Sequence, residues 1–144
     1  DAGARATFYI VTGNVGKKNH VTWTEIATMA RAGMDIGAHG LQHFELPAMS
    51  AQQQAAQING SAAIVRERVG LPVESYAYPS GRFDRRTLSI VAASGIPLAV
   101  TTDPVANQNR FDLGRVRVRG SWTGPEFRAA VRRALAQERP VEKR

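Results

Sequence analysis

The chain has 144 residues, with 19 Lys and Arg against 12 Asp and Glu, and no cysteine. That length suits one domain, since at roughly 150 residues folding buries about two-thirds of the unfolded surface; the lack of Cys excludes a disulfide scaffold, a thiolate zinc site and a cysteine nucleophile. The net charge of +7 sits at one end, with a balance of +1 from Asp1 to Gly114 and +6 from Arg115 to Arg144, which reads as a solvated Arg-rich helix and tail without any nucleic-acid motif.

Ala6 to Thr12 (ATFYIVT) is β-branched and aromatic and ends at Gly13-Asn14, predicting a buried strand and a turn. Thr22 and Glu25 form a capping box that opens a helix with Ile26, Met29 and Ala30 on one face and Gly33 as its stop. Met34 to Ala38 is a second strand. Ser50 and Gln53 open a long helix to about Val69, weakened in its middle by Gly60 and ended by Gly70 and Pro72. Ser75 to Tyr78 is a third strand, ending at Pro79-Ser80-Gly81. Asp84 caps a helix to Ser94 with Leu88, Val91 and Ala92 inward. Pro97 to Thr102 and Leu113 to Arg119 are the fourth and fifth strands; the fifth would carry Arg115, Arg117 and Arg119 on one face, which either lines a groove, where one Arg could bind sugar hydroxyls or a carboxylate, or is an exposed edge with acidic neighbours. Thr123 and Glu126 open a last helix with Phe127, Val131, Ala134 and Leu135 on its apolar side. The longest uncharged run, Thr87 to Thr102, contains Gly95 and Pro97, so no transmembrane segment is expected. Strands alternating with helices predict an α/β fold with a mainly parallel sheet, whose ligands bind at the C-terminal strand ends.

Two of the three histidines lie after the second strand, in Gly37-Ala38-His39-Gly40-Leu41-Gln42-His43. Two imidazoles four residues apart can chelate a divalent metal, and the pair reads either so or as surface histidines. After the third strand, the corner Tyr78-Pro79-Ser80-Gly81 reads either as an ordinary turn or as backbone amides aimed at an oxyanion. Ser80 lacks the context of a nucleophile elbow and is not read as a nucleophile. His20 reads as solvated, and Trp23 and Trp122 as helix-start packing or as sugar-stacking rings.

These elements together resemble the polysaccharide deacetylases of the NodB-homology type, carbohydrate esterase family four. ATFYIVTGN, MDIGAHGLQH, YAYPSGRFD and VAASGIPLAVTT carry the resemblance, which runs from about Ala4 to Phe127. Gly33 to His39 stands where the family usually reads GxEIGSH, and Tyr78-Pro79-Ser80-Gly81 matches its Tyr-Pro-Tyr-Gly except at Ser80. The resemblance implies a distorted (β/α) barrel and metal-dependent removal of acetyl groups from a polysaccharide, most often an N-acetylated amino-sugar polymer. It implies that His39 and His43 bind a divalent metal, usually zinc, that the Ser80 amide helps hold the oxyanion, and that Tyr78, Pro79 and Gly81 shape the substrate groove. An extracytoplasmic location, periplasmic, cell-wall or secreted, is implied in the same way.

Two departures follow. The family's Asp-Asp pair, which supplies the catalytic base and a third metal ligand, belongs upstream of the ATF strand, where five residues precede Ala6. No His follows His43 to act as the family's late general acid; Asp103 or Asp112 could assist a leaving amine instead. The expectation is one deacetylase-like domain over residues 1–139, without its first strand and helix, and a tail over 140–144. A separate N-terminal segment or chain would complete the barrel. The alternative is a non-catalytic glycan-binding or scaffold domain.

Overall fold

The structure, a computed structural model, describes residues 3–104 and 109–136. The tail at 140–144 lies outside them, as does Asp1. Four short strands, β1 (Thr7–Ile10), β2 (Asp35–Ala38), β3 (Ser75–Ala77) and β4 (Leu98–Val100), form one sheet in chain order. Every neighbouring pair is parallel, with Thr7 opposite Asp35, Ala38 opposite Tyr76, and Tyr76 opposite Ala99. The crossovers carry α1 (Trp23–Arg31), α2 (Ala51–Val69) and α3 (Arg85–Ala93), and α4 (Gly124–Ala136) follows. Parallel strands taken consecutively are the order of a (β/α) barrel wall, as the alternating pattern predicts.

The helices begin where their caps dictate. The Thr22 and Ser50 hydroxyls accept from the Glu25 and Gln53 amides, and both boxes close. The Asp84 carboxylate accepts from the Thr87 amide at 2.8 Å. Gly70 ends α2 in the left-handed conformation. Behind the sheet, Ile10, Ile36, Ala38, Tyr76, Tyr78 and Ala99 meet Ile26 of α1, Ile58 and Val65 of α2, and Val91 of α3 in one apolar core. A buried polar link joins two of the helices: the Thr87 hydroxyl donates to Gln54 Oε1 at 2.8 Å, and neither residue is exposed.

The strand alternation assigns the other face. By register Tyr9, Gly37 and Ser75 lie side by side on it. The Tyr9 ring crosses Gly37 so closely that a Cβ there would sit 2.6 Å from the ring.

Four expectations change. β1 is not a buried strand throughout: among the described residues it has β2 alone as a neighbour, and Phe8 is 42% exposed. The fifth strand does not form. Leu113 makes an isolated bridge to Val100, and the chain beyond it is irregular, because Pro104 ends its partner segment after one further bond, Arg115 N to Asp103 O. On α4 only Ala134 is buried; Phe127 and Leu135 are exposed, because the helix lies at the margin of the core rather than over it. In α3, Ala92 is exposed while Thr87 is buried.

Gly37→Ala should lower the unfolding free energy by about 1–3 kcal/mol through overpacking against Tyr9. The loss should shrink in a Tyr9→Ala background, measured as the shift in urea midpoint. Equal losses in both backgrounds would assign the cost to the backbone instead of the ring.

Candidate active site

The loop after β2 is clamped from two sides. The His39 amide donates to Ile10 O at 3.0 Å, Thr12 N to Gly40 O at 3.1 Å and Gly13 N to Leu41 O at 2.8 Å, so the end of β1 holds the loop by its backbone. From α2, Gln57 Oε1 accepts from the Gln42 amide at 2.9 Å. Gly60 explains itself here: a Cβ on it would lie 3.2 Å from Leu41 Cδ1, so the missing side chain makes room for the loop. The propensity cost of a mid-helix glycine, about 1 kcal/mol, is the cost of seating that loop.

The clamp presents His39 and His43 together, with ring centroids 4.8 Å apart and planes 76° to each other. His39 is half-buried and His43 exposed. His39 Nδ1 lies 2.6 Å from the Ala77 carbonyl oxygen. A carbonyl only accepts, so Nδ1 carries the hydrogen and Nε2 keeps a lone pair, the usual arrangement of a metal-ligating histidine. Burial pushes the His39 pKa down against the opposing pull of the Ala77 carbonyl, and the charges of His43 and Arg115 push it further down. The ring is therefore neutral at pH 7.

Two imidazoles fit two positions of a divalent site. Among the described residues no group of three or more His, Cys, Asp or Glu could hold an ion. Asp35 starts β2 and lines a cleft with Met34, Glu74 and Ser75 at the opposite strand ends, so it does not join the pair.

At the neighbouring strand end, Ser80 adopts φ 55°, ψ 10°, a left-handed backbone uncommon outside glycine. The turn is tied down from both sides: Gly81 N donates to Tyr78 O at 2.8 Å, Arg82 N to Pro79 O at 3.0 Å, and the Thr101 hydroxyl to Gly81 O at 2.9 Å. The Ser80 amide accepts no such duty among the described residues, which leaves it available to an oxyanion. Tyr78 and Pro79 are buried. The Tyr78 ring packs 4.7 Å from Phe83 and 5.7 Å from Tyr76, and its hydroxyl donates to Phe111 O at 2.7 Å. Their side chains set the corner's position from beneath, and the surface itself is left to Ser80 and Gly81. Those two line an open cleft with Thr102, Asp103 and Asp112, so both candidate acids belong to the same cleft as the corner.

Sequence reasoning missed two residues and left the choice among three arginines open. Gln57 and Gly60 look like a polar face and a flaw until Leu41 and Gln42 are seen against them. Arg115 belongs to an expected strand, yet its Nε donates to Thr101 O at 2.8 Å and its guanidinium carbon lies 5.5 Å from the Tyr9 ring centre. His20 is exposed in its loop, with Nδ1 3.0 Å from Lys18 O. Trp23 packs on the core, and Trp122 lines a separate cleft with Arg117, Arg119 and Arg133.

The sequence model of the family described as polysaccharide deacetylase matches residues 1–99. YxkH of Bacillus subtilis (strain 168), a protein named for polysaccharide deacetylation, is 30% identical over 132 residues, covering 90% of this chain and 47% of its own. The chain thus spans about half the length of that relative. The Streptococcus pyogenes deacetylase PplD, solved in complex with acetate, superposes with a TM-score of 0.84 at 24% identity over 90% of this chain and 59% of that one. A pseudoenzyme of carbohydrate esterase family four from Bacillus anthracis superposes with a TM-score of 0.58 at 20% identity, over 67% of this chain and 33% of that one. Among the described residues no helix is long and apolar enough to cross a membrane.

The His39 imidazole should titrate below the ordinary value of about 6.5 in a pH series of proton–nitrogen spectra. Its folded pKa is depressed, so the unfolded chain binds that proton first, and this group should subtract stability as pH falls through about 6.5. Titration at or above the ordinary value would overturn the burial account.

Proposed function

The chain belongs to the polysaccharide deacetylase family, and on that premise we propose that its site removes acetyl groups from an acetylated polysaccharide, an N-acetylated amino-sugar polymer by preference. His39 and His43 would hold a divalent metal ion, zinc by preference. The observation that carries this reading is the bond from His39 Nδ1 to the Ala77 carbonyl, which leaves Nε2 as a lone-pair donor beside His43. Such an ion, when bound, polarises an acyl carbonyl and acidifies water.

The remaining work falls to the chain's own groups. The Ser80 amide, fixed by the turn bonds of Tyr78, Pro79 and Gly81, is a preorganised donor for the oxygen that gains charge when an amide or ester carbonyl is attacked. Loss of one such donor typically costs about a hundredfold or more in rate. Tyr78 and Pro79 contribute by rigidity: a buried ring with its hydroxyl on Phe111 keeps the corner from relaxing. Asp103 and Asp112 line the same cleft, where a carboxylic acid can hand a proton to a leaving amine. Catalytic zinc normally takes three protein ligands, so this reading requires a third donor from outside the described residues, in an N-terminal segment or a companion chain. An extracytoplasmic location fits a polysaccharide substrate.

A second reading is a glycan-binding domain without turnover. It is favoured by the two-histidine set, to which the described residues add no carboxylate, and by a pseudoenzyme among the fold's relatives.

The test uses the full-length protein, with zinc content by mass spectrometry and acetate release from N-acetylated chito-oligosaccharides. The expected result is about one zinc per chain and, in His39→Ala, losses of both on the order of 100-fold. Unchanged zinc and acetate release in that variant removes the assignment. Zinc bound by the wild type without acetate release selects the binding domain.

A further inference from the structure

Arg115 is a cation that the proposed chemistry leaves unused. Its backbone amide donates to Asp103 O at 2.8 Å and its Nε to Thr101 O at 2.8 Å, so the side chain is fixed at both ends. The guanidinium is half-buried above the Tyr9 ring. One of its five N–H donors is engaged by Thr101. Among the described residues none of the others meets a carboxylate. A cation held in a part-buried place without an anionic partner is costly to keep unless something pairs with it.

The surroundings fit an anion. Arg115 lines a cleft of about 500 Å³ with Thr102, Val116 and Arg117, with no acidic residue among them. Thr102 also lines the Ser80 cleft, so the two spaces adjoin. Thr101 joins them mechanically: its hydroxyl holds Gly81 O while its carbonyl holds Arg115 Nε. The charge also reaches the histidine pair, since Arg115 is among the influences that keep His39 neutral.

We propose that Arg115 is a carboxylate-binding residue, a fixed guanidinium fork beside the Ser80 corner that receives a small carboxylate through its terminal N–H groups. Arginine suits this task because its planar fork matches a carboxylate bidentately, which lysine cannot do. The carboxylate is either the one released by deacylation or one borne on a sugar of the polymer. The inference rests on the deacetylase reading for its choice of ligand, though not for its geometry.

The experiment is a binding titration on chelator-treated, metal-free protein, so that no ion can take up the ligand. Acetate stands for the released product and glucuronate for a polymer-borne acid; the Thr102 backbone amide resonance, present in every variant, reports. A saturable shift is expected, weakened about tenfold or more in Arg115→Met, the loss of a charge-assisted hydrogen bond, and less in Arg115→Lys. Urea midpoints of both variants check folding, and if Arg115→Met does not fold, the Lys variant carries the comparison. Response to acetate assigns the product, and response to glucuronate alone assigns the polymer. Silence to both, or unchanged binding in the variants, overturns the proposal. Because turnover is not measured, a chain that binds acetate but releases none leaves this inference standing while the hydrolytic reading fails.

Discussion

The candidate site depends on one hydrogen bond, from His39 Nδ1 to the carbonyl of Ala77. It joins the loop after β2 to the end of β3, and so can form only if those strands are parallel and in register, Ala38 beside Tyr76. A slip of one residue would turn His39 toward the helices and bring Ala38 out of the core. The bond also decides chemistry, since it places the ring hydrogen on Nδ1 and keeps Nε2 for a ligand. Everything that fixes the loop serves that bond: the amides of Thr12 and Gly13, the Gln57 side chain, and the space left by Gly60.

The second arm of the site is built on a different economy. The Pro79-Ser80-Gly81 corner adopts a strained backbone at Ser80, which costs on the order of 1–3 kcal/mol and persists only where the surroundings over-determine it. They do so here through buried aromatics below and Thr101 above. Thr101 is the pivot of this half, because one residue after β4 binds both the corner and Arg115. A polar residue buried at a strand end has thereby become the joint between the Ser80 corner and a cation.

Much of this was legible in the sequence. Capping boxes at Thr22, Ser50 and Thr123 state local chemistry that no tertiary packing has to supply, and all three helices begin there. The histidine pair and the Pro-Ser-Gly corner follow apolar runs, so their place at strand ends could be read from alternation alone. Gly60 could not be read, because its reason lies in Leu41, nineteen positions away. The family resemblance implies a groove role for Tyr78, and alternation along β3 turns its side chain into the core beside Tyr76, so any such role is exerted from beneath the corner. Which arginine faces the groove is hidden for a related reason: Arg115, Arg117 and Arg119 look alike in sequence, and only the bridge of Leu113 to Val100 draws the first of them inward while the others stay exposed.

Electrostatics then sets a condition on the complete site. His39 is held neutral by burial, and Arg115 adds a positive charge whose influence reaches it. Adding a divalent cation beside His39 would place three positive charges, two on the ion and one on Arg115, close together in a part-buried region, where screening is weak. An anionic third ligand, such as the Asp that the family resemblance implies, would offset part of that repulsion. The same field would favour the negative charge that the proposed reaction develops, an oxyanion at Ser80 during attack and then a carboxylate at Arg115. One arrangement of charge thus keeps the histidine able to ligate and gives the adjoining cleft its preference for anions.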